Sequence, residues 1–191
     1  MNNVLILAPP YAGAKAFAKH YAETHSYHNT GAHILYSVDD LERTWGKQNT
    51  VTKFIPSLKQ KNKEIEHWCL KNATEVIIIE HENKEQQVKS MYLSRTNLEL
   101  VKDYTVFLDN TPKLIDCVAT LKKNYNVVQH YIDNYLTDTK KTIIYSNYDK
   151  ATNSLVVDST TDNYHYYIKE KGMCGDLIRD GGLQWHRTLK I

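Results

Sequence analysis

The chain has 191 residues with 24 lysines and arginines against 22 aspartates and glutamates, a formal charge of +2 with histidine neutral. That balance excludes a polyanion-coating tail as its main business, and 41% apolar with 24% charged residues excludes a disordered chain. No apolar run reaches the roughly 20 residues that span a bilayer, so no membrane association is expected.

Asn3 to Leu7 (N-V-L-I-L) is a continuous apolar run, as in a strand buried on both faces of a parallel sheet. A turn, A-P-P-Y-A-G, leads into A-K-A-F-A-K-H-Y-A-E from Ala14 to Glu23, a helix with Phe17 and Tyr21 on one face. Ala32 to Ser37 (A-H-I-L-Y-S) reads as a second strand, with Asp39 and Asp40 just past its end. The stretch Leu41 to Asn72 is polar and helical in tendency, broken at Pro56, with Ile65, Trp68 and Cys69 on a buried face. Thr74 to Glu80 (T-E-V-I-I-I-E) is the clearest buried strand, and a charged helix follows from Asn83 to Tyr92. Tyr104 to Leu108 predicts another strand, and Thr111 to Asn124 a helix with Pro112 at its first position. This alternation predicts an α/β fold with a doubly wound parallel sheet over residues 1–125.

Beyond Asn126 the pattern changes. Val127 to Leu136 reads as one more helix, and I-I-Y-S-N-Y-D, S-L-V-V-D-S and N-Y-H-Y-Y-I-K alternate as antiparallel strands do. Residues 126–191 are therefore expected to form a small C-terminal β-rich appendage, ending in a glycine-rich, loop-like stretch. The 14 tyrosines against 3 phenylalanines supply half-wet aromatic surface for a protein partner or stacked bases, or only reflect codon bias.

Three widely spaced cysteines (Cys69, Cys117, Cys174) form no C-x-x-C pair, so the default setting is reducing and cytoplasmic. His20, His25, His28 and His33 complete no recognised ligand set, and no metal site is expected on them. The strand, A-P-P-Y-A-G-A-K-A and helix occupy the context of G-x-x-x-x-G-K-[ST], in which backbone N–H groups cradle phosphate and a lysine and hydroxyl complete the site. Gly13 keeps the second glycine. Ala8, Ala14 and Lys15 stand where the motif has glycine, lysine and hydroxyl.

With these residues the chain resembles the P-loop kinase domain of bacteriophage-type polynucleotide and related nucleotide kinases, over about residues 1–125. The resemblance implies a nucleotide loop around Pro9, Pro10, Gly13 and Lys15, and Asp39 of S-V-D-D as general base beside Asp40. It further implies Glu80 near magnesium, and Lys122 and Lys123 neutralising the transferring group. ATP and Mg²⁺ are the implied cofactors if the protein is active, and a nucleotide or single-stranded nucleic-acid 5′ end the implied partner. Each residue also has a plain reading: Asp39 and Asp40 as a helix cap and first-turn acid, Glu80 as a strand boundary, Lys15 as a surface lysine, and Lys122 and Lys123 as helix C-terminal cations. Two functions follow as expectations. One is a degenerate kinase with weak or absent ATP-dependent phosphotransfer. The other is a non-catalytic binding or assembly module, of which a viral protein reusing the fold is a special case.

Overall fold

The structure, a computed structural model, describes residues 1–32, 37–56, 63–96, 111–137, 140–149, 154–159 and 166–169. Five helices and seven strands are formed in these residues: β1 (Asn3–Leu7), α1 (Ala14–His25), β2 (His28–Ala32), α2 (Val38–Trp45), β3 (Thr50–Phe54), α3 (Lys63–Asn72), β4 (Glu75–His81), α4 (Lys84–Thr96), α5 (Thr111–Tyr135), β5 (Lys141–Asp149), β6 (Ser154–Ser159) and β7 (Tyr166–Lys169). The strands make one sheet in the order β2-β3-β1-β4-β5-β6-β7. β2 to β5 and β1 run parallel, whereas β6 and β7 are added antiparallel at one edge. The expected α/β fold with a parallel sheet is thus present.

Alternation along the central strands sorts their side chains to two covered faces. Val4, Ile6, Val51, Ile77 and Ile79 pack with Ala14, Phe17, Ala18 and Tyr21 of α1. Leu5, Leu7, Phe54, Val76 and Ile78 pack instead with Leu41 and Trp45 of α2, Cys69 and Leu70 of α3, and Val128, Tyr131 and Ile132 of α5. All of these are buried, which is why β1 and β4 read as unbroken apolar runs.

Several expected elements differ. The second strand is His28–Ala32, ahead of the expected Ala32–Ser37, and residues 33–36 lie outside the described residues, as does the strand expected over Tyr104–Leu108. The polar stretch after Leu41 contains β3, which the helical reading missed. T-V-T-K-F carries β-branched residues at three successive positions, and that signal is a strand's. β3 is central: it pairs with β1 from Asn3↔Thr50 to Leu7↔Phe54.

The expected break after Asn124 does not occur. No proline or glycine interrupts residues 113–135, and Cys117, Leu121, Asn124, Val128 and Tyr131 repeat at spacings of four and three on one buried face. Asn124 satisfies its amide by donating to the Thr120 carbonyl at 2.9 Å, so a residue that reads as a helix end is carried mid-helix. The expected division at 125/126 therefore falls inside α5. Likewise I-I-Y-S-N-Y-D is not in an antiparallel appendage alone: β5 pairs parallel with β4 from Val76↔Lys141 to His81↔Ser146 and antiparallel with β6 on its other side.

Candidate functional site

Parallel strands bring their carboxyl ends to one edge, and in open α/β sheets ligands sit outside that edge. Here it carries the Ala8–Gly13 loop after β1, Ile55 and Pro56 after β3, and Glu82 and Asn83 after β4. The β1 loop is held from outside by its carbonyls. Gln87 of α4, fully buried, donates its Nε2 to the Pro10 carbonyl at 2.7 Å and accepts the Tyr125 hydroxyl at 2.7 Å. Buried Ser146 of β5 donates to the Ala12 carbonyl at 2.8 Å. Ala8 N–H is taken by the Phe54 carbonyl at 3.1 Å, and Pro9 and Pro10 have no N–H to offer.

The loop turns through two left-handed residues, Tyr11 (φ 60) and Gly13 (φ 81). Glycine meets that requirement without a Cβ penalty. Tyrosine does not, and the compensation is its ring, which packs against Val88, Met91, Tyr92 and Leu121 of α4 and α5. Gly13 is the N-cap of α1, with no side-chain cap and no acid in the first turn. The N–H groups of Ala14, Lys15 and Ala16 therefore present the positive end of the helix at the sheet edge.

The alanines in this segment have a physical explanation. Ala8, Ala12, Ala14 and Ala16 belong to the buried cluster on the α1 face. Ala14, at the lysine position of the phosphate-loop pattern, is only 5% exposed, so a lysine there would have to thread its stem out of packed surroundings.

A cation that the sequence reading missed arrives from β3. Lys53 follows Val51 by two residues, so it shares the α1 face, and it lies opposite Ile6 in the register. Its pKa is lowered, first by burial and second by the charge of Lys15. The two ammonium groups thus lie close enough to repel, at the end of the sheet where α1 begins. The missed signal was β3 itself, because Lys53 acquires a direction only once T-V-T-K-F is read as a strand.

The remaining expected residues are distributed elsewhere. Asp40 forms a capping box with Ser37, whose Oγ accepts the Asp40 N–H at 3.2 Å while its backbone N–H donates to Asp40 Oδ2 at 3.4 Å, and the Ser37 hydroxyl also donates to Oδ2 at 2.9 Å; Asp40 is ion-paired to Arg43 as well. Those Ser37 hydrogen bonds, with Arg43, hold its carboxyl below the usual range. Asp39 is exposed in the same first turn. Glu80 precedes His81 at the end of β4, on the face opposite Lys53, and its charge acts on Lys84 and Tyr125. His81 is buried, with Nε2 2.8 Å from the Tyr148 carbonyl and Nδ1 accepting the Asn83 N–H at 3.1 Å; these partners fix the neutral Nε2–H tautomer. Lys122 and Lys123 are exposed in mid-α5, not at a helix C-terminus, since the helix continues to Tyr135. Lys122 faces a cavity between α4 and α5 that also borders Lys84 and Gln87.

The structure therefore groups Gly13, Lys15 and Lys53 at the start of α1, joins Pro10 through Gln87 to Tyr125, and sets Glu80, Lys84 and Lys122 toward α4 and α5. Asp40 is committed to its own helix. Among the described residues no helix is long and apolar enough to cross a membrane. No protein-family model matches the chain, and no curated protein matches it.

Proposed function

We propose that the protein is a degenerate P-loop kinase-like protein whose wound sheet presents the Pro9–Lys15 loop to the phosphates of a nucleotide or a nucleic-acid 5′ end, with weak or absent ATP-dependent phosphotransfer. The observation that carries this reading is the convergence of an uncapped helix start at Gly13 with Lys15 and Lys53. Lys53 takes over the charge that the loop lost at position 14. Phosphoryl transfer depends on positioning and charge stabilisation, and removing one such donor costs roughly 10²- to 10³-fold. With the loop hydroxyl replaced by Lys15, and with Asp39, the implied general base, exposed on α2 while its neighbour Asp40 is held by Ser37 and Arg43, binding outlasts chemistry.

Isothermal titration with inorganic pyrophosphate and with ATP and Mg²⁺ tests it. Heat of binding is expected with both, and Lys53→Gln or Lys15→Gln should weaken each about tenfold, the weight of one charge-assisted hydrogen bond. No heat at millimolar ligand overturns the reading.

The second reading, a non-catalytic binding or assembly module using the tyrosine-rich C-terminal strands, draws on β6 and β7 extending the sheet antiparallel at one edge. Deleting residues 153–191 leaves the parallel strands in place, and partner capture that survives this deletion counts against the module.

A further inference from the structure

The cavity between α4 and α5 is left unused by the phosphate loop. Its volume is about 290 Å³, room for one small organic molecule, just below the usual range for drug-sized ligands. Its lining divides by chemistry. Partly exposed Val118, with the nearly buried Val88 and Leu121 behind it, gives an apolar wall, while the cationic side chains of Lys84 and Lys122 line the same space. The Lys84 Nζ sits 3.8 Å from the Tyr125 ring centroid, so an aromatic wall and a cation are assembled before anything binds.

An uncharged hydrocarbon would strip water from these ammonium groups with no compensation, and bare phosphate would leave the apolar walls unfilled. The complementary molecule has a compact apolar body and an anionic head. Lys84 and Lys122 are the charged side chains of the lining, and Glu80 acts on Lys84 from outside it, so the site suits an anionic head.

We propose that the α4–α5 cavity binds a small aromatic or branched aliphatic carboxylate, its head between Lys84 and Lys122 and its body on Val88, Val118 and Leu121. This site shares Gln87 with the support of the phosphate loop but none of the loop's own residues, and it stands whether or not the loop takes a nucleotide.

The test is titration of the full chain with benzoate, followed by methyl NMR of Val88, Val118 and Leu121, with benzyl alcohol and inorganic phosphate as controls. Benzoate should move all three methyl sets. Lys122→Gln, at an exposed position, should weaken binding about fivefold, and Val118→Phe should abolish the shifts while far-UV circular dichroism is retained. Lys53→Gln should leave benzoate affinity within about twofold, which keeps this result separate from the pyrophosphate experiment. The inference is overturned if about 50 mM benzoate moves none of these methyls, if benzyl alcohol binds as tightly, or if Lys53→Gln and not Lys122→Gln abolishes the response.

Discussion

Gln87 joins the candidate loop to the helices behind it, since one amide serves both the Pro10 carbonyl and the Tyr125 hydroxyl. Gln87→Leu takes the side-chain partner from the half-buried Pro10 carbonyl and one of two partners from the half-buried Tyr125 hydroxyl, which the His81 backbone N–H also reaches, and a polar group left unsatisfied costs about 1–3 kcal/mol. Urea denaturation should show a loss of about 1–3 kcal/mol for Gln87→Leu, and about 1–2 kcal/mol for Tyr125→Phe, which removes the bonds to Gln87 and from the His81 backbone and keeps the ring. Gly13→Ala forces a Cβ into the left-handed region at φ 81 and should destabilise by about 1–2 kcal/mol. Among the weakly acidic groups withdrawn from water, Tyr125 and Cys69 contribute to an alkaline limit. Burial pushes the Tyr125 phenol up to about 12 from 10.0, and the Cys69 thiol up to about 12 from 9.0. Both protons are held more tightly folded than unfolded, so their stabilisation is complete below pH 9 and is lost as pH rises from about 9 to 12. Urea midpoints compared at pH 8 and pH 10.5 should therefore fall, and Tyr125→Phe should fall less steeply than the parent.

At the scale of elements, α5 and β3 are where local pattern and final structure part. The boundary suggested by N-Y-N at 124–126 reflects asparagine's preference for helix ends, yet Asn124 turns its amide onto Thr120 and the apolar repeat passes straight through. Asn126→Pro distinguishes one helix from two. In a continuous helix it removes an internal hydrogen bond and should cost about 3 kcal/mol or more in thermal or urea unfolding. At a break it would be harmless. At the start of α2, Ser37→Ala removes the capping box and should cost about 1 kcal/mol. The Asp40 side of the same box has its pKa lowered, so its contribution is present above the ordinary carboxylate range near pH 4 and disappears as pH falls through the lower folded value.

For the whole molecule, the position of β5 decides what can be removed. β5 lies between β4 and β6, and its Ser146 reaches the Ala12 carbonyl. A chain ending at residue 125 loses this strand and the Val128, Tyr131 and Ile132 side of α5 that covers Leu5, Leu7 and Ile78. It should show no cooperative urea transition, whereas residues 1–152 keep the five parallel strands and should unfold cooperatively.

The sequence by itself determined the buried strands β1 and β4, the helix α1 and the loop between, because continuous apolar runs and a Pro-Pro turn are local signals that need no partner to be read. It also located Gly13 at the end of that loop and Lys15 in the first turn of the helix after it. Only the tertiary structure decided that β3 stands beside β1 and aims Lys53 toward Lys15, and that Lys122 looks into a cavity with Lys84. Those outcomes depend on register, helix length and which face each residue shares, and these are fixed by contacts between segments far apart in the chain. The alanines that read as lost catalytic positions are the clearest case: their burial against the sheet, invisible along the sequence, is what selects small side chains there.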